Sequence, residues 1–205
     1  MILTQKTKIL LLKVVIHLAA LLPIINLYVN AFNDQLGADP VEAVIHYTGI
    51  GAFNLLLITL CVSPLAKLLK QGYFINVRRL LGLYAFAYAL LHLINFIAFD
   101  LQFNFSLLLS EIIKRPYITI GMLAFVLLTL LAITSINKLK RKMGKNWQKL
   151  HNLNYFILLL VAVHFYWSVK SDISEPLLYF LMSFILLAWR YKKIKRWFKG
   201  MFPMR

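Results

Sequence analysis

The chain has 205 residues, of which 61% are hydrophobic, and its formal net charge at pH 7 is +16. This composition is typical of integral membrane proteins and leaves no stretch that could form a soluble nucleotide-binding domain. No phosphate-binding GxxxxGK[ST] motif occurs, and Gly49-Ile50-Gly51 is followed by Asn54 where a dinucleotide fingerprint needs its third glycine. Cys61 is the single cysteine, so there is no disulfide framework, and the absence of a CxxCH motif excludes covalently attached c-type haem.

Six apolar runs follow one another along the chain, and each approaches the roughly 20 residues that a membrane-spanning helix needs. We therefore predict an all-α membrane protein, a six-helix bundle that forms a single transmembrane domain over residues 1–205. No internal repeat is evident. We expect Pro23 to kink the first helix, and Pro64, Pro116 and Pro176 to mark the ends of runs. The predicted helices cover residues 9–32, 44–63, 80–99, 117–136, 153–169 and 177–191.

The charged residues between the runs predict the orientation. Twenty of the 23 basic residues fall on one side of the predicted membrane, and all seven acidic residues fall on the other. The exceptions among the basic residues are Lys114, Arg115 and Lys170, whereas Arg205 in the C-terminal tail belongs to the majority. Because basic residues are retained in the cytoplasm, we expect both termini to be cytoplasmic. The high positive charge therefore reflects membrane topology and does not indicate nucleic-acid binding.

Two histidines are expected to share a depth in this topology. His92 lies about two-thirds of the way along the third run from its cytoplasmic end, and His164 lies at a similar depth in the fifth run. A haem iron accepts histidine ligands on opposite faces of its ring, so such a pair predicts a haem between helices 3 and 5. The alternative is that each imidazole makes a hydrogen bond within the bundle. His151 stands thirteen positions before His164, roughly 20 Å along a helix, near the cytoplasmic face.

The remaining candidate binding residues give a less specific signal. His17 is the only other histidine expected in the inner half of the membrane, where it could partner His151, whereas His46 begins the second run on the outer side. Each of these two is better explained by a structural role. The paired Arg78 and Arg79 could bind haem propionates or lipid phosphate, or could extend to the interface as topological charges.

Several stretches resemble a known family. They are LKVVIHLAALLP (12–23), LGADPVEAVIHYTG (36–49), RRLLGLYAFAYALLHL (78–93), RPYITIG (115–121), KNWQKLHNLNY (145–155), HFYWSVK (164–170) and AWRYKK (188–193). Together they resemble the MsrQ family (formerly YedZ), the haem-binding membrane subunits of the bacterial periplasmic methionine sulfoxide reductase system MsrPQ. This family lies within the ferric-reductase-like transmembrane superfamily, and the resemblance extends over nearly the whole chain.

The resemblance implies a b-type haem and electron transfer to MsrP, a periplasmic molybdopterin reductase that repairs oxidised methionine in envelope proteins. It implies the quinone pool as electron source, with FMN and a cytosolic flavin reductase as a further possibility, and a location in the inner membrane. The family's haem histidines correspond to His92, His151 and His164. NADPH oxidases, more distant relatives, carry another histidine where this chain has Arg78, so a second, inner haem would need a different ligand, such as His17.

The sequence is therefore compatible with three functions. The first is an electron-transfer subunit whose partner performs the sulfoxide chemistry. The second is a membrane ferric or cupric reductase, although this chain has no cytoplasmic flavin and NADPH domain. The third is a cofactor-free transmembrane scaffold or transporter component. For the first, we expect the partner to dock on the outer segments 31–41 and 101–115, whose acids could attract a basic surface.

The orientation is testable by thiol labelling. With Cys61 replaced, single cysteines at Lys140 and Lys195 should resist an impermeant reagent in intact spheroplasts, and cysteines at Asp39 and Asp172 should react, because the basic residues keep the former in the cytoplasm. Labelling at position 140 in intact spheroplasts would overturn the orientation.

Overall fold

In the computed structural model, which describes residues 4–169 and 172–201, the chain is helical and contains no strand within those ranges. Lys170 and Arg205, both used in the charge count, lie outside the described residues. The chain divides into two compact units, residues 1–108 and 109–205.

Among the residues that the structure describes, five helical segments are long and apolar enough to cross a membrane. They are Gln5–Phe32, Pro40–Leu68, Gly72–Asp100, Pro116–Ile133 and Lys145–Ser168. The predicted sixth run forms Ser174–Trp189, an apolar helix of 16 residues, which is shorter than these five. The chain is thus a multi-pass membrane protein.

The first unit contains helices α1 (Gln5–Phe32), α2 (Pro40–Leu68) and α3 (Arg78–Asn95). A 3₁₀ helix, Gly72–Val77, precedes α3, and a π-helical turn, Phe96–Asp100, continues it. The start of α2 is capped as the sequence favours, because the Asp39 carboxylate accepts a hydrogen bond from the Glu42 backbone N–H at 2.8 Å and Pro40 occupies the first turn. A short helix, α4 (Phe105–Lys114), spans the boundary between the units.

The second unit contains α5 (Pro116–Ile133), α6 (Asn137–Met143), α7 (Lys145–His151), α8 (Asn154–Ser168), α9 (Ser174–Trp189) and α10 (Tyr191–Met201). Helix α8 packs against both α5 and α9. The chain turns between α6 and α7 at Gly144, whose φ of 52° is a conformation that favours glycine.

The exposed surface of α1 is what a lipid-facing helix requires. Of its 28 residues only Ala20 and Leu27 are buried, and long aliphatic side chains elsewhere on the helix are exposed. Such an apolar surface is untenable in water but is solvated by lipid tails. The protein core lies instead around Phe53 and Ala85 in the first unit and around Ile157 in the second.

Two details of the prediction are wrong. Pro64 does not end its run, because α2 continues past it to Leu68; a proline near the end of a helix removes one hydrogen bond without stopping the last turn. The segment after the third run, which we expected to be a loop, contains α4, whose exposed Phe105, Leu109 and Ile113 recur every four residues on one helical face. Pro116 and Pro176 do lie in the first turns of α5 and α9.

Candidate haem-ligating histidines

The half-buried His92 is held by the backbone of the neighbouring helix. It lies on α3, and its Nδ1 is 2.9 Å from the carbonyl oxygen of Ile45 on α2. A carbonyl only accepts, so Nδ1 carries the proton and donates it. Gly49, one turn after Ile45, leaves room for the ring, since a Cβ there would lie 3.0 Å from His92 Nδ1.

His164 has the same surroundings in the second unit. It lies on α8, and its Nδ1 donates to the carbonyl oxygen of Tyr117 on α5 at 2.7 Å. Gly121, again one turn after the acceptor, makes the approach sterically feasible, since a Cβ there would lie 2.7 Å from His164 Nδ1. The Tyr117 ring also lies beside the imidazole, with 6.1 Å between ring centroids.

The two arrangements share one spacing along the chain. In each, the acceptor carbonyl precedes its histidine by 47 residues, and the glycine follows the acceptor by four. Histidines that bind metals usually donate their second ring N–H to a carbonyl or carboxylate, which fixes the tautomer and the orientation of the ring. A ring held through Nδ1 presents Nε2 as its ligating atom. Both sites therefore have the chemistry of a metal-ligating imidazole.

Helices α2 and α3 approach closely beside His92 as well. Gly51 faces Tyr88 so tightly that a Cβ on the glycine would lie 2.4 Å from the ring, and the Tyr88 hydroxyl donates to the Ala20 carbonyl at 2.7 Å. The Gly49-Ile50-Gly51 sequence thus serves helix packing: one glycine accommodates an imidazole and the other a phenol.

His151 is held differently, through Nε2. It ends α7, stacks on Trp147 with 3.9 Å between ring centroids, and has Nε2 at 3.1 Å from the Thr134 hydroxyl oxygen. That hydroxyl donates its proton to the Leu130 carbonyl at 2.7 Å, so Nε2 of His151 must be the donor. The Trp147 indole donates to the Thr134 carbonyl at 2.9 Å, and the Lys140 ammonium lies over the indole ring.

His17 and His46 lie on exposed positions of α1 and α2. The His17 Nδ1 is hydrogen-bonded to the Tyr84 hydroxyl, and the two rings meet edge to face. The two predicted arginines differ from each other, since Arg79 is exposed whereas the half-buried Arg78 donates from a terminal guanidinium nitrogen to the Ser63 hydroxyl at 3.2 Å. His92 and His17 belong to the first unit, and His151 and His164 to the second.

Sequence reasoning missed the residues that hold the rings: Ile45, Gly49, Tyr117, Gly121, Thr134 and Trp147. The first four carried a signal, because a glycine 43 positions before each of two histidines is a repeated spacing that can be read from the sequence. Thr134 and Trp147 carried none that identified them as partners of His151.

Comparison with known proteins identifies a matching family model and several similar proteins. The family model of the ferric reductase like transmembrane component matches residues 48–162. A protein of Cronobacter sakazakii named protein-methionine-sulfoxide reductase heme-binding subunit MsrQ is 47% identical over 189 residues, covering 92% of this chain and 94% of its own. Proteins of the same name from Klebsiella pneumoniae and Pectobacterium carotovorum are 45% and 43% identical, covering 92% of this chain and 94% and 95% of theirs. No solved structure matches the chain.

Proposed function

Because this chain belongs to the family of MsrQ haem-binding subunits, within the ferric-reductase-like transmembrane components, we propose that it is the electron-transfer subunit of a methionine sulfoxide reductase system. It binds b-type haem and passes electrons across the bacterial inner membrane. The sulfoxide is reduced on a partner, an MsrP-like periplasmic molybdopterin reductase that repairs oxidised proteins.

The observation that carries this proposal is the matched pair of histidine sites. We assign His92 and His164 as the residues that would hold one haem through Nε2, since each ring is fixed through Nδ1 by a helix carbonyl and fits against a glycine. Bound haem supplies a one-electron carrier within the hydrocarbon layer. The Ile45 and Tyr117 carbonyls hold the imidazole tautomer.

His151 is assigned to the inner half of the membrane, with His17 as the candidate partner if a second haem binds there. Ligation through Nε2 of His151 requires that its hydrogen bond to Thr134 be exchanged for the bond to iron. Arg78 stands where related oxidases carry a histidine, and its guanidinium contacts Ser63. Arg78 and Arg79 are assigned to haem propionates or to lipid phosphate.

The charge distribution and the family support a proposal for the membrane topology, the electron path and the docking of the partner. We propose six spans, with the shorter α9 as the sixth, and both termini in the cytoplasm. Electrons enter from the quinone pool, or from FMN supplied by a cytosolic flavin reductase, and leave towards the partner docked on the outer segments. Asp39 and Glu42, exposed at the start of α2, attract that partner.

The second candidate is a ferric or cupric reductase, which the description of the matching family model favours. It differs from the first in the electron acceptor, since it reduces an extracellular metal ion directly. The cofactor-free scaffold is distinguished from both by the absence of a Soret band from the purified protein.

Replacing either axial histidine should remove haem. His92→Ala and His164→Ala each take away the only side chain that we assign to one face of the iron, so haem per protein, measured as the pyridine haemochrome, should fall to near zero. His46→Ala, which removes an exposed imidazole from α2, is the control and should retain wild-type haem. Unchanged haem in either test variant would remove that residue from the ligand set. His151→Ala should affect only an inner haem, so loss of a single haem in that variant would contradict the assigned depths.

The glycines should be needed for haem affinity. Gly121→Ala places a methyl group 2.7 Å from His164 Nδ1 and Gly49→Ala places one 3.0 Å from His92 Nδ1. Both should weaken haem binding, by about 10- to 100-fold, as loss of a supporting contact to a metal ligand does, with the larger effect at Gly121. Gly82→Ala, on the same helix as His92 but with its nearest neighbour 3.8 Å from the new methyl, is the matched control. Equal haem affinity in all three variants would show that the positions of the His92 and His164 rings do not affect haem binding.

Electron delivery is testable by stopped-flow spectroscopy. Chemically reduced protein should be reoxidised when the purified MsrP-like reductase and a methionine sulfoxide substrate are both present. Charge reversal at Glu42, which keeps the Asp39 cap of α2 in place, should slow the bimolecular phase and leave the haem spectrum intact, because only the encounter is weakened. Haem that stays reduced under these conditions would exclude the electron-donor role, and reoxidation by ferric chelates alone would favour the second candidate.

A further inference from the structure

A basic cavity of about 390 Å³ lies in the second unit, lined by residues of α7 and the C-terminal helix α10 together with Asn152, which follows α7. Its lining combines four cations, two carboxamides and one indole, and it contains no carboxylate: Lys145, Gln148, Lys149, Asn152, Lys193, Arg196 and Trp197. None of these residues belongs to the histidine sites described above.

The charges around this cavity are of one sign. Four cations that face one space repel one another, and their repulsion is relieved when an anion enters. The Gln148 side-chain amide on α7 donates to the side-chain oxygen Oδ1 of Asn152 at 2.9 Å, which fixes these two carboxamides relative to each other. Arginine and lysine together with amide donors are the groups that proteins use to bind phosphate.

The buried indole N–H of Trp197 is an independent indication of a ligand-binding site. Only 9% of this residue is exposed, and its indole Nε1 is buried without a hydrogen-bond partner among the described residues. A buried donor that lacks an acceptor is costly and calls for an explanation. Trp197 lines the cavity, and the oxygens of a bound phosphate are acceptors of the kind that this donor lacks.

Two cations of α10 line the cavity and others do not. Lys193, which is half-buried, and Arg196, which is exposed, line it. Lys192 and Lys199 are exposed and do not line it, as expected of charges that only keep an interfacial helix in contact with water. One helix thus provides both a test pair and a control pair of equal charge.

We propose that this cavity is a phosphate-binding site, occupied by the phosphate of an anionic phospholipid headgroup or of a soluble phosphate ester. The site does not depend on the proposed electron-transfer function, and it would stand if that function were disproved.

The test uses the full chain, purified in a neutral detergent, with two probes. Phosphatidylglycerol binding is followed by native mass spectrometry, and pyrophosphate binding by calorimetry. Lys193→Gln combined with Arg196→Gln should weaken binding of the recognised probe by about tenfold or more, since two charge-assisted hydrogen bonds are lost. Lys192→Gln combined with Lys199→Gln removes the same charge outside the cavity and should change binding by no more than about twofold.

Each outcome decides the proposal. Binding of phosphatidylglycerol alone identifies a headgroup site, binding of pyrophosphate alone identifies a soluble ester, and binding of both shows that the phosphate itself is recognised. Equal weakening by the two double variants would show that diffuse surface charge, and not a defined site, binds the probe, and would overturn the proposal. Absence of binding of both probes would also overturn it. Should the test double variant fail to fold, Lys149→Gln in the cavity against the exposed Lys142→Gln on α6 repeats the comparison with single charges.

Discussion

The hydrogen bond from an imidazole Nδ1 to a helix carbonyl is the interaction on which the candidate site depends. At His92 and at His164 this bond fixes which nitrogen carries the proton and where the ring points. Its acceptors are backbone atoms of α2 and α5, so ring position is determined by helix packing and is insensitive to the side chain at the acceptor. A residue such as Ile45 can therefore support a ligand although its side chain has no hydrogen-bonding group.

That bond requires the helices to approach closely, and glycine allows them to do so. Gly49, Gly51 and Gly121 each lie against a ring where a methyl group would be within 3.0 Å of it or nearer. The hydrophobic effect does not drive helices together within lipid, so close contact and interhelical hydrogen bonds have to hold them. The Tyr88 hydroxyl on the Ala20 carbonyl and the Tyr28 hydroxyl on the buried Asn95 are bonds of this kind in the first unit. Helix packing and the orientation of the candidate haem-ligating histidines therefore depend on the same close helix contacts.

The sequence predicted what periodicity and charge determine. The apolar runs correspond to helices because spanning segments are apolar throughout, and the differences lie at the ends of helices, as at Pro40–Leu68, which extends beyond the predicted 44–63. Side-chain partners could not be predicted in the same way. His151 lies just before the run that contains His164, yet one is bonded through Nε2 to Thr134 and the other through Nδ1 to Tyr117. This difference depends on which helix faces each ring, which a linear pattern does not contain. The amphipathic α4 was missed because Ser106, Ser110 and Glu111 interrupt its apolar residues, so that they form no run of spanning length.

We propose that two imidazoles, those of His92 and His164, would ligate one haem, and low-temperature electron paramagnetic resonance of the purified, oxidised protein is the decisive measurement. Combined with near-infrared magnetic circular dichroism, it distinguishes the ligand pairs of low-spin haem. Ligation by two imidazoles predicts a low-spin signal with the charge-transfer band of bis-imidazole coordination, present in the wild type and in His46→Ala. A high-spin, five-coordinate signal, or a low-spin signal from an imidazole paired with another ligand type, would disprove the assignment.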